Sequence, residues 1–282
     1  FSYRKLSREN RLTYDVLDYY LELSKKESDY LLYEEPMGTV SGVQTQIPVL
    51  LSEYQFQSKE DVDAYLELMK TTPDYFNSLI AFEQEKAQKG LFMASYTADT
   101  VIEQCQAFID MGDSNYLIST FVDRIQKLTD LSESEKSDYI QKNAYMLQTY
   151  VLPAYQQLIK TVVELKDSGK NEEGLCYLPN GKEYYELTVQ ASTGSARTVP
   201  QLQKLTKNQM KDDLAAMKAV IGLTAEQAKE TAVMESTDPK EILNSLSLDI
   251  QKTFPKLPQT SVEVKYVPKA MEAHLSPAFY MI

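Results

Sequence analysis

Histidine, cysteine and carboxylate side chains could hold a catalytic metal, and this sequence is poor in the first two. His274 is the only histidine, and Cys105 and Cys176 are the only cysteines. A catalytic zinc site takes three protein ligands converging on one open position. One histidine and two distant cysteines do not supply that set, so no metal ligand and no catalytic residue is assigned in this chain. Carboxylates are plentiful, but they fall on the outer faces of predicted helices, where charge runs are solvated. No D-x-[DN]-x-[DN]-G loop marks an oxygen-only calcium site. There is no G-x-S-x-G elbow, and Thr193-Gly194-Ser195 reads as a helix end. A serine–histidine pair could use only His274. Phosphate-loop and dinucleotide fingerprints are absent as well.

Tyrosine is the unusual count, with 20 Tyr against 9 Phe and no Trp. Most tyrosines read as helix packing with hydroxyls reaching the surface. A sharper reading is a cleft whose tyrosines hydrogen-bond a peptide-like ligand. Tyr184 and Tyr185 in NGKEYYE and Tyr280 in SPAFY are the candidates for it. Cys105 sits on an apolar helix face, as a small core side chain does. Cys176 lies in the Gly-rich loop GKNEEGLCYLPNG. A bridge between the two stays open if the protein is exported.

The elements that must position these residues are mostly helices. Leu12, Val16, Tyr19 and Leu23 share one helix face. Ser58 with Asp61 has capping-box spacing, followed by the stripe Val62, Tyr65, Leu66 and Met69. Pro73 suits a first turn, and Gly90 closes that helix. Thr97 reads as the cap of a helix carrying Val101, Cys105, Phe108 and Ile109. Ile118, Phe121, Val122 and Ile125 mark another. Ser132 with Glu135 opens the longest helix, from about 132 to 167, in which Pro153 must kink or split the pattern. Residues 169–181 form a loop. Helices resume near Lys182, near Pro200, after Thr224, and after Asp238-Pro239, a cap-plus-N1 pair. Residues 34–57 read as non-helical, broken by Pro36, Gly38, Gly42 and Pro48. After Pro255 and Pro258, Val262, Val264 and Tyr266 alternate like a strand. The expected fold is mainly α: an irregular multi-helix bundle, residues 1–258, with a short β arm, residues 259–282, at the C-terminal end.

Composition narrows the partners. The chain has 282 residues, 43% hydrophobic and 25% charged, as in ordinary globular proteins. A net charge of −12 repels phosphate backbones, which argues against nucleic-acid binding. No apolar run approaches the ~20 residues that cross a bilayer. The chain begins at Phe1 rather than Met, which implies an upstream segment. It ends on an apolar stretch, Ser276-Pro277-Ala278-Phe279-Tyr280-Met281-Ile282. A strand there would leave backbone groups unpaired, so the rest of the fold is expected downstream, and the terminal strand offers an edge for association.

That ending, VKYVPKAMEAHLSPAFYM at 264–281, resembles the middle of a bacterial family known as DUF885. SRENRLTYDVLDYYLE at 7–22, GVQTQIPVLLSEYQF at 42–56, VLPAYQQL at 151–158 and LPNGKEYYE at 178–186 resemble family segments in the family's order. Coverage is nearly the whole chain. In the family such an ending precedes a His-Glu…Pro-Gly-His motif, which gives it the look of zinc-dependent peptidases. This sequence contains no His-Glu pair, so the family's zinc and general base have no positions in it. The resemblance implies that zinc belongs to the full-length protein. It also implies that HLSPAFY is an edge strand pairing with the backbone of a peptide-like substrate. Pro277 suits an edge, Ala278 allows close approach, Phe279 or Tyr280 shapes a side-chain pocket, and His274 and Ser276 flank it. An ordinary buried strand is the alternative for this segment. A non-catalytic helical binding module, holding a peptide or glycan on a Tyr-rich face, is the alternative for the protein. Either fits an exported protein or cell-surface lipoprotein of a bacterium.

Overall fold

The computed structural model describes residues 2–221, 236–254 and 262–266. The chain divides into two compact units, residues 1–195 with 268–282, and residues 196–267. The described residues are mainly α-helical. None of them forms a strand.

In the first unit, local signals set most helix boundaries. Ser58 and Asp61 form the capping box of α3, Lys59–Lys70, whose Val62, Tyr65, Leu66 and Met69 are buried. Helix α4, Thr72–Gln88, carries Pro73 in its first turn. It closes in a Schellman motif: Gly90, at φ +70°, donates to Ala87 O and Leu91 donates to Lys86 O. Helix α5 spans Ser95–Asp110, so it begins before Thr97. Carboxylates from a distant loop substitute for a capping side chain, with Glu172 Oε1 accepting from the Ser95 amide at 2.7 Å. Asn115 caps α6, Tyr116–Ile125, and Ser132 with Glu135 caps α7, Glu133–Met146.

Pro153 resolves the long helical pattern in a specific way. Between α7 and α8, Leu152–Leu165, the backbone widens into a π turn, Leu147–Val151, where Leu152 N donates to Leu147 O. Pro153 then lies in the first turn of α8, a position where proline is tolerated. Helix α8 is the centre of the unit and packs on α4 and α5. Its Tyr155, Leu158 and Val162 are buried.

Residues 34–57 depart from the expectation. Val43–Glu53 is a helix, α2, with Pro48 inside it. Pro48 has no amide to offer the carbonyl four residues back, that of Gln44. The Tyr155 hydroxyl donates to Gln44 O at 2.7 Å instead. A tertiary contact thus takes over the bond whose loss made this stretch read as non-helical. The C-terminal end of α2 is closed from outside too. Arg124 of α6 donates through Nη1 to Leu51 O at 2.9 Å and Tyr54 O at 2.6 Å. Its guanidinium lies over the rings of Phe56 and Tyr65.

Helix α1, Arg8–Glu27, is peripheral. It touches a 3-10 turn at Ser28–Tyr33 and helix α9, Gly181–Thr193. Of its expected inward face only Leu23 is buried, while Leu12, Val16 and Tyr19 are exposed, as are Leu17, Tyr20 and Leu21. In the second unit, α10 spans Val199–Ile221 and α11 spans Pro239–Thr253, the latter capped by Asp238, whose Oδ1 accepts from Lys240 N. The expected β arm is not formed where it can be followed: Val262–Tyr266 has no regular secondary structure, and Val262 and Tyr266 are exposed. The rest of 259–282, and the helix expected after Thr224, lie outside the described residues.

The Arg124 fork holds two carbonyls and covers two rings, and a lysine cannot reproduce that geometry. Arg124→Lys is expected to cost about 1–2 kcal/mol and Arg124→Ala about 2–4 kcal/mol, read from urea unfolding midpoints.

Candidate functional site

The surface concavity nearest to a binding site lies between α1 and α9. It is an open trough of about 350 Å³ lined by Asp15, Asp18, Tyr19, Glu22, Leu23, Lys26 and Gln190. Helical spacing places Asp15, Asp18 and Glu22 on one face of α1. The Tyr3 hydroxyl donates to Asp15 Oδ2 at 2.8 Å, and that bond to a carboxylate raises the Tyr3 pKa. Gln190 Nε2 reaches the Tyr19 hydroxyl at 3.4 Å. Three carboxylates against one ammonium suit a cationic group. Its lining is carboxylate, ammonium, amide and phenol, with no thiol or imidazole. Sequence reading passed over it, because a carboxylate run on a helix has the look of a solvated face.

The two tyrosines proposed on α9 take different places. Tyr184 stacks on Tyr30, centroids 5.4 Å apart, and leans on Tyr33 at 5.0 Å. Burial raises its pKa. Tyr33 in turn donates its hydroxyl to Pro179 O, which fixes the turn leading into α9. Gly181 begins that helix against the Leu175 carbonyl, where an added Cβ would fall 1.6 Å from the oxygen. Tyr185 is exposed. His274, Ser276, Ala278, Phe279 and Tyr280 lie outside the described residues.

A second group of titratable side chains is buried. Lys86 and Glu83 of α4 are each 1% exposed. Lys86 Nζ donates to Glu34 O at 2.8 Å and Glu35 Oε2 at 2.7 Å, and sits 3.3 Å from Glu83 Oε2. Burial first, then the Glu35 charge, push Glu83 up to about 8. The cysteines are both free, Cys105 buried and Cys176 exposed. Burial pushes the Cys105 thiol up to about 12, so it is inert at neutral pH.

Among the described residues, no group of three or more His, Cys, Asp or Glu is placed to hold a metal ion. These residues supply no ligand set for the zinc that the resemblance implies for the full-length protein. No described helix is long and apolar enough to cross a membrane.

The contrast between the α9 tyrosines can be measured. Tyr184→Ala removes the ring that the half-buried Tyr30 and Tyr33 pack against and is expected to cost about 1–2 kcal/mol. Tyr185→Ala should stay within about 0.5 kcal/mol. Equal losses in thermal unfolding would contradict the packing described.

The fold is similar to that of a candidate lipoprotein from Colwellia psychrerythraea, with a TM-score of 0.67 at 18% sequence identity. The match covers 84% of this chain and 45% of that one, so this chain spans less than half the length of that protein. At this identity the likeness concerns the fold alone. No curated protein matches the chain. The family model described as "Bacterial protein of unknown function (DUF885)" matches residues 1–282. Its whole length being matched, the chain belongs to the bacterial DUF885 family.

Proposed function

We propose that this chain is the helical scaffold of a longer DUF885 protein that acts as a zinc-dependent peptidase. In this reading residues 1–258 form the scaffold and one wall of a substrate cleft, with Tyr184 and Tyr185 on that wall. Residues 259–282 form an arm in which His274, Ser276, Ala278, Phe279 and Tyr280 line an extended peptide. Metal ligands and general base come from sequence outside this chain.

The observation that carries the scaffold part is the surface of α1. Leu12, Val16 and Tyr20 lie toward one side of it, Leu17 and Leu21 toward another, and all five are exposed. A helix apolar on more than one side is one that packs within a larger body. The lipoprotein label of the similar Colwellia protein supports an exported or surface location.

A binding module without catalysis is the second reading. The acidic trough between α1 and α9 favours it, since such a trough would take a cationic segment of a peptide. One experiment separates the two. The full-length protein, purified and dialysed, is expected to retain about one zinc per chain and to hydrolyse unstructured peptides. Peptide binding with neither zinc nor hydrolysis would establish the binding module instead.

A further inference from the structure

We propose that Glu35, Glu83 and Lys86 form a proton-operated latch that holds the Glu34–Gly42 loop closed on α4 and releases it when the cluster loses a proton. The loop is tied at two ends. At one end Lys86 Nζ binds Glu34 O and the Glu35 carboxylate. At the other, Gln44 Nε2 donates to Gly38 O and Gln104 Nε2 donates to Thr39 O. Between them Met37 is fully buried, its amide donating to Glu35 Oε1 at 3.3 Å. The polar groups around Lys86 therefore hold an apolar plug in place.

The charge balance of the cluster depends on one proton. Lys86 contributes one positive charge against two carboxyl groups. Burial and the neighbouring Glu35 charge favour the protonated Glu83. With that proton present the cluster is neutral: one ammonium, one carboxylate, one carboxyl. With the proton gone, two carboxylates share one buried counter-ion, and one of them, Glu83, has its charge out of water. Such an uncompensated charge is costly. The charged groups acting on Glu83 are Glu35, from the loop, and Lys86, one turn along α4. Glu34 and Glu27 act on Tyr184 of α9. The Phe82 ring, 5.7 Å from Lys86 Nζ, adds no titrating group.

The geometry also decides which side gives way. The Glu83 side chain is 1% exposed and fixed to the inner face of α4. The Glu35 side chain is 29% exposed and sits on the loop. Glu35 can reach water by a small backbone movement, and Glu83 cannot. Loss of the proton should therefore leave Lys86 paired with Glu83, free Glu35, and remove the tether that keeps Met37 seated.

The sign follows from linkage. Glu83 has a folded pKa raised above its unfolded value, so the folded chain binds the extra proton. The stability it confers is complete below the unfolded pKa and is lost as pH rises toward 8. Glu83→Gln supplies a neutral group of the same shape that cannot lose the proton. The ratio of the wild-type unfolding constant to that of Glu83→Gln should grow by about tenfold per pH unit from pH 5 toward 8, then level.

The test combines that ratio with amide hydrogen exchange, corrected for the intrinsic pH dependence, at Met37 and Val43, whose amide donates to Pro36 O. In the wild type, protection at both amides should fall at least tenfold between pH 6 and 9, ahead of the α8 amides. In Glu83→Gln it should change less than twofold. Parallel loss in wild type and Glu83→Gln, or no loss in the wild type, would overturn the proposal.

Discussion

One hydrogen bond organises the first unit: the Tyr155 hydroxyl to the carbonyl of Gln44. Pro48 makes that carbonyl an orphan inside α2, and a buried orphan carbonyl is not tolerated. The donor comes from another element, so this bond ties α2 to α8. The Tyr155 ring extends the constraint. It meets Phe76 of α4 edge-on at 5.0 Å and Phe108 of α5 at 4.6 Å. A single fully buried side chain therefore fixes α2, α4 and α5 around α8. The π turn before Pro153 belongs to the same region, because it sets the phase in which Tyr155 enters the core.

The same economy recurs elsewhere. Some helix ends in this unit are closed by side chains from remote segments rather than by local caps. Arg124 closes α2, Glu172 closes the start of α5, and Lys86 holds the carbonyl of Glu34. Asn143 Nδ2 donates to Leu117 O, joining α7 to α6 in the core. Polar groups in such positions are costly when unpaired, so each contact specifies which elements lie side by side. Several of the buried polar side chains of the first unit, Lys86, Asn115 and Asn143 among them, are thus committed to architecture.

Much of this was legible in the sequence where a signal is local. The capping boxes at Ser58 and Ser132, the Pro73 and Gly90 brackets, and the Asp238-Pro239 start all act within one turn of chain, and all fall at helix ends. Helix α2 was not legible, because its proline is compensated by a tyrosine more than a hundred residues away. The start of α5 shifted from Thr97 to Ser95 for a related reason: its cap comes from the 166–174 loop. The buried cluster was hidden by its spacing. Glu83 and Lys86 are three apart, which on a helix reads as an exposed ion pair, and nothing in the sequence tells that the Glu34–Gly42 loop covers them. The α1 stripe was read with the right period. The period locates an apolar face but does not say whether this chain covers it.

The proline–tyrosine exchange is the claim on which the account of the scaffold rests, and a double-mutant cycle addresses it directly. Tyr155→Phe keeps the ring and removes the donor, and in the natural background it should cost about 1–3 kcal/mol. Pro48→Ala restores a backbone amide opposite Gln44 O. In that background the same Tyr155→Phe change should cost less than about 0.5 kcal/mol, a coupling well above the additivity expected of independent sites. Equal costs in the two backgrounds would contradict the account, since the hydroxyl would then not be standing in for the missing amide.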